Sequence, residues 1–268
     1  MTDILRRELA PIAGAAWAEI DEEAQKRLRT HLSARFVVDF SGPHGWELAS
    51  VNLGRLEIEK KPAGEVTWGQ RRILPLVEIR VPFKLKQLEL DNVLRGSKDA
   101  GLDALAEAAR SAARFENNLV FNGFKAGGIK GICEQAGHKP LTLPKSPEDI
   151  PETIAKAKLA LEQVGVEGPY ALVLGTEAYT SLTRSTKIGF PIYRVVNELV
   201  DGNLTWSPEV EGGLLLSKRG GDFELTVGQD LSIGYASHNR DEVELYFTES
   251  LAFRVLDPDA AILLQKKS

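Results

Sequence analysis

The sequence predicts an α+β fold, on three observations. Helical stripes dominate the first two thirds of the chain, short closely spaced strands fill the last third, and an early period-two segment interrupts the helices. A length of 268 residues with 43% apolar content suits one or two compact units with a sizeable core. Trp17, Ile20, Ala24, Leu28 and Leu32 recur at three- and four-residue steps. They predict a helix over residues 14–34, with Glu19, Glu22, Glu23, Lys26 and Arg29 on its wet face. The β-branched run RFVVDF at residues 35–40 predicts a strand before the turn Ser41-Gly42-Pro43.

Between residues 51 and 85 the period changes. Val77, Ile79, Val81, Phe83 and Leu85 alternate with Glu78, Arg80, Pro82, Lys84 and Lys86, the mark of a strand with one solvated face. Residues 53–60 are its expected hairpin partner, joined through Lys61-Pro62-Ala63-Gly64. Pro82 predicts an edge or interrupted strand, and a two-stranded arm needs a surface to lie on. Leu105, Ala108, Ala112, Phe115 and Leu119 predict a helix over 102–121, with a glycine-rich turn, FNGFKAGGIKGI, at 121–132.

A second helix is expected over 148–164, with Ile150, Ile154, Ala157, Leu161 and Val164 inward and Gly165 closing it. YALVLG at 170–175 reads as a buried strand, Thr176 as the N-cap of a helix to Leu182, and RSTKIGFP at 184–191 as a loop. Antiparallel strands are expected at 213–217, 223–227, 231–235, 243–247, 251–256 and 261–264, with Glu249 interrupting the longest apolar run.

Charge and motifs exclude more than they suggest. A net charge of −5 removes the long-range attraction of a nucleic-acid binder, and the longest apolar runs fall far short of the ~20 residues that span a bilayer. The lone Cys133 closes no intrachain disulfide, and residues 1–12 do not read as a signal peptide, so a cytoplasmic protein is expected. His31, His44, His138 and His238 share no ligand spacing, so no metal site is expected. Neither a phosphate-binding glycine loop nor a nucleophile elbow occurs. An enzyme is not expected.

Several unbroken phrases, in order, resemble the encapsulins, shell-forming relatives of tailed-phage major capsid proteins. They are LRRELAPI (5–12), WAEID (17–21), VVDFSGPHGWELASVNLGRL (37–56), RILPLVEIRVPFKL (72–85), ELDN (89–92), VEGPYALVLG (166–175), RGGDFELTVGQDLSIGY (219–235) and DPDAAILL (257–264). The resemblance covers nearly the whole chain and implies the HK97-like phage major capsid protein fold. It divides the chain into an N-terminal helix and start of the P-domain (1–48), an extended E-loop (49–88), the P-domain with its long helix (89–138), an A-domain (139–224) and the C-terminal P-domain strands (225–268).

The same resemblance implies a homo-oligomeric icosahedral shell, of sixty subunits if it is the smallest kind, that encloses a cargo enzyme. The family's usual cargo is a dye-decolourising peroxidase or a ferritin-like protein, recruited by a C-terminal targeting peptide. Carried onto this chain, the peptide pocket falls on Leu28, Leu32, Arg35, Asp39, Asp230 and Ile233. The loop at the five-fold axis falls on Thr183, Arg184, Ser185, Thr186, Lys187, Ile188 and Gly189, polar or basic at its start. Two other readings stay open, a prophage capsid protein and the bacteriocin or protease label such proteins have carried. Lys86, Gln87 and Leu88 offer no aromatic platform for a flavin, so no cofactor is expected. Nucleic acid and membrane are not expected partners.

Overall fold

The computed structural model describes residues 4–58, 64–187 and 189–266. The expected turn residues Lys61, Pro62 and Ala63 lie outside them, as does Ile188. The chain divides into two compact units, one of Met1–Asp21, Ser41–Ala108 and Thr226–Ala252, the other of Glu22–Phe40, Ala109–Leu225 and Phe253–Ser268.

In the first unit the helix α1 (Gly14–His31) begins, and the half-buried Trp17 is covered on one face by Arg7, which lies 3.9 Å over its ring while bonding Asp21 at 2.7 Å. Strand Val77–Lys86 keeps the predicted alternation, with Ile79, Phe83 and Leu85 buried. Its partner differs from the one the sequence suggested. It pairs antiparallel with Glu242–Val255, setting Phe83 opposite Leu245 and Val81 opposite Phe247. Val243, Leu245 and Phe247 offer apolar side chains at alternate positions, and the rings of Phe83 and Phe247 stand 5.4 Å apart.

Strand Glu242–Val255 is continuous, since the buried Glu249 keeps its place in the ladder opposite Ile79. Its other edge takes Ser232–His238. Pro82, which has no N–H to give, sits on a strand with no second partner among the described residues. The arm is a separate two-stranded sheet in which Ser50–Ile58 pairs with Gly69–Pro75. Its register shifts between Asn52 and Arg55, where Gly54 takes φ +66°. After strand 77–86 comes a helix the sequence reading did not anticipate, α2 (Gln87–Leu94), with Leu90 buried.

In the second unit, residues 34–36 form a 3-10 turn rather than a strand, and extended structure is confined to Asp39–Ser41. The cause lies in the long helix α3 (Asp103–Asn122), whose Asn117 accepts from the Ala34 amide at 3.0 Å and donates to the His31 carbonyl at 2.7 Å. A remote side chain thus pins the backbone at the end of α1, immediately before residues 35–40. The glycine-rich segment after α3 is a tight hairpin of Gly123–Phe124 on Ile129–Lys130, in which a Cβ on Gly123 would come within 2.6 Å of the Gly131 nitrogen.

The main sheet of this unit has five strands in the order Leu204–Trp206, Tyr170–Leu174, Gly213–Ser217, Ala261–Lys266, Leu141–Leu143. Its inner pairs are antiparallel and its two outer pairs parallel, which strand periodicity alone does not reveal. Helix Ile150–Gln163 packs on Gly213–Ser217 and Ala261–Lys266 through Ile150, Ile154, Ala157 and Leu161. Val164, expected inward, is exposed beyond the end of that helix. Helix Ile192–Leu199 was not anticipated; its Ile192 and Val196 are buried.

Candidate functional site

Leu28, Leu32, Arg35 and Asp39 belong to the second unit, Asp230 and Ile233 to the first. Leu28 and Leu32 sit one turn apart at the C-terminal end of the α1 stripe, and both are buried. Arg35 follows in the 3-10 turn. Its Nε and Nη2 donate to Glu116, which is fully buried on α3, at distances down to 2.6 Å, and its guanidinium lies 4.7 Å over the half-exposed ring of Phe40. Asp39 accepts from the Gly221 amide at 2.6 Å. A cleft of about 40 Å³, room for a water molecule and little more, opens beside Asp39, Lys218, Gly220 and Asp222.

Arg35 and Asp39, two of the three charged residues expected at the peptide pocket, are therefore engaged within their own unit. Phe36, on the same turn, is exposed. The sequence reading missed Glu116 and Asn117, which carry this turn. Their signal was present: in α3 they continue the buried stripe of Leu105, Ala109, Ala112, Ala113 and Val120, and a polar pair on an apolar stripe demands partners.

In the first unit, Ile233 is buried opposite Phe247, and the Asp230 carboxylate accepts from the amide of Leu231 at 2.8 Å. Asp230 lies within a hydrogen-bonded bend, where Gln229 and Ser232 both donate to its carbonyl.

The described residues of segment 183–189 are more regular than the loop expected. Thr183 and Arg184 complete the helix Thr176–Arg184, and Thr186–Lys187 pairs with Phe190–Pro191. The hydroxyls of Thr183 and Ser185 turn back onto carbonyls of that helix, at 3.1 and 2.7 Å, while Arg184 is exposed. Gly189 takes φ +77°, the left-handed region a tight reversal needs. Thr176 is the first residue of the helix rather than its cap, and its hydroxyl accepts from the Trp206 indole at 3.1 Å.

Lys86, Gln87 and Leu88 border a cavity of about 870 Å³ with Asp91 and residues 239–242, and the side chains lining it include no aromatic ring. Among the described residues, no group of three or more His, Cys, Asp or Glu could hold a metal ion, and no helix is long and apolar enough to cross a membrane. Cys133 is a lone thiol that burial pushes up to about 11.

A family model described as "Encapsulating protein for peroxidase" matches residues 1–252. A type 1 encapsulin shell protein of Rhodospirillum rubrum is 48% identical over 272 aligned positions, covering 99% of this chain and 97% of that protein. Among solved structures, a virus-like particle from Pyrococcus furiosus superposes with a TM-score of 0.67 at 17% identity, over 93% of this chain and 99% of that one. The capsid of the myovirus XM1 gives a TM-score of 0.55 at 12% identity, over 87% and 90% of the two chains. These two likenesses show the HK97-like capsid fold, and the sequence relationship is far closer than theirs. Over nearly its whole length, the chain belongs to the family of encapsulin shell proteins.

Proposed function

We propose that this chain is the subunit of a closed icosahedral protein cage that encloses a cargo enzyme in the cytoplasm and performs no catalysis itself. One observation carries the reading. The arm of Ser50–Ile58 and Gly69–Pro75 pairs with no other strand among the described residues, yet leaves Leu56, Ile58, Trp68 and Ile73 exposed. An isolated two-stranded hairpin is marginal in water, so an arm of this composition is best explained by a neighbouring subunit beneath it. Identical chains that reach onto one another must close or polymerise without end, and icosahedral closure uses about sixty equivalent places. The division into P-domain, A-domain and E-loop is part of this proposal.

The matching family's description favours a peroxidase as cargo, with a ferritin-like protein as the other candidate. Leu28, Leu32, Arg35, Asp39, Asp230 and Ile233 are the proposed docking residues for its C-terminal peptide, and residues 183–189 the proposed rim of the five-fold opening. Electron microscopy of the purified full-length protein tests the cage: closed particles of one size are expected, and monomers or open filaments alone would refute it. Co-expression with a peptide-tagged cargo tests the pocket. Leu32→Asp should lower co-purified cargo relative to wild type while particles still form, since a charge there costs about 2–3 kcal/mol. Undiminished loading would remove Leu32 from the site.

A further inference from the structure

The arm has two unlike faces. Residues opposite one another in an antiparallel pair project to the same side, so the register puts Arg55, Glu57, Gln70 and Arg72 on one face and Leu56, Ile58 and Arg71 on the other. Ile73, two residues beyond Arg71 on the same strand, joins the second face. Leu56 leans across Gly69, where a Cβ would stand 3.1 Å from its Cδ1. The second face is thus apolar, with one guanidinium set into it. Val66 and Trp68 precede the strand Gly69–Pro75, and its alternation does not place them.

Charge follows the same division. On the first face Arg72 and Glu57 meet at 2.5 Å, a pair satisfied within the arm. On the second, Arg71 has no ion-pair or hydrogen-bonding partner among the described residues. Around it Leu56, Ile58 and Ile73 are 61%, 62% and 52% exposed. Water screens a guanidinium in such a face while it is open, and a carboxylate holds it once the face is covered. Residues 50–75 carry five Lys and Arg against three Asp and Glu, and the rest of the chain carries 28 against 35. The complement of a cationic arm is therefore this same chain.

We propose that the arm binds a second copy of this chain through the face of Leu56, Ile58, Arg71 and Ile73, and that Arg71 fixes the fit by pairing with a carboxylate of that copy. The face of Arg55, Glu57, Gln70 and Arg72 stays in water. The assignment rests on the cage reading, because it names the contact by which one subunit holds the next. Apolar area supplies the adhesion, and the single buried charge selects the position in which it is paired.

Face-selective variants of the full-length protein test it, with particles measured by size-exclusion chromatography and electron microscopy and folding checked by circular dichroism. Leu56→Asp and Arg71→Glu should each lower the assembled fraction about tenfold or more while the subunit stays folded, and Arg71→Lys should recover part of the loss. Gln70→Glu and Glu57→Gln should assemble like wild type. Thiol labelling separates the faces without a disruptive charge. In intact particles Ile73→Cys should react with a maleimide about tenfold or more slowly than Gln70→Cys, as mapped by mass spectrometry, although both positions are exposed in the single subunit. Wild-type protein that stays monomeric would fail the cage reading, and this contact with it. Cages that form undiminished from Leu56→Asp and Arg71→Glu, that are lost in Gln70→Glu, or that label Ile73→Cys as fast as Gln70→Cys would overturn the face assignment alone.

Discussion

Arg35 holds Glu116 with two nitrogens, Nε at 2.9 Å and Nη2 at 2.6 Å from the same carboxylate oxygen, and Glu116 has no exposure to solvent. Removing one member of such a pair strands the other charge, which costs about 3–5 kcal/mol. Arg35→Ala should therefore lower the thermal unfolding midpoint well beyond the effect of a surface substitution. Adding Glu116→Gln should recover most of that loss. A single variant as stable as wild type would show the pair to be dispensable.

His31 makes stability depend on acid. Its folded-state pKa lies below the ordinary value of 6.5, through burial first and neighbouring arginines second. The stability it contributes is complete above pH 6.5 and is lost as pH falls through the lower folded value. Denaturation curves of wild type and His31→Gln should diverge between neutral and acidic pH, with the variant less sensitive. Parallel pH dependence of the two would refute the assignment.

Cys133 acts at the other end of the scale. Burial raises its thiol from 9.0 to about 11, so its contribution is complete below pH 9 and fades as pH climbs through 11. A shift of this size is worth on the order of 3 kcal/mol. Thiol titration at pH 8 should be slow in the native protein and rapid once it unfolds, because the thiolate is the reactive form. Rapid native labelling would contradict the burial.

On the proposed reading the arm is an assembly contact that folding of the subunit does not need. Replacing residues 50–75 by a short linker leaves the buried face of strand Val77–Lys86 on Glu242–Val255 intact. Size-exclusion chromatography should then show a soluble, folded but unassembled subunit. Particles of normal size from this variant would remove the arm from the assembly contact.

Arg184 is exposed at the end of its helix. If five copies ring an opening, they favour anionic or neutral solutes over cations. Cargo turnover in intact particles, with substrates of different charge, should shift toward cationic substrates in Arg184→Ser. An unchanged ranking, equal to that of free cargo, would place solute entry elsewhere.

Periodicity made the long elements legible and left their partners open. The stripes of α1 and α3 follow from spacing, and the alternation at residues 77–86 named the buried face correctly. Alternation says which face is dry, not which strand covers it, and so the pairing with Glu242–Val255 was missed. At residues 35–40 local β propensity lost to Asn117 and Glu116, eighty residues away in sequence. The proposed pocket suffered similarly. Arg35 and Asp39 looked available because their internal partners, Glu116 and Gly221, lie far along the chain. The eight-residue helix Ile192–Leu199 offered only two fully buried positions, too few for its period to register.

The strand Ala261–Lys266 lies inside its sheet, between Gly213–Ser217 and Leu141–Leu143, rather than at an edge. That position sets an order of events during synthesis. Until the ribosome has released those residues, the sheet is split and Leu141–Leu143 has nothing to pair with. At ~5–20 residues per second, a nascent chain spends several seconds with its other strands made and this one missing. Chains arrested before residue 260 should therefore stay protease-sensitive in this sheet, and the finished subunit becomes competent to meet its neighbours only after translation has passed the strand. The fold thereby ties assembly to chains translated beyond this strand, so that products truncated before it are excluded by their own open sheet.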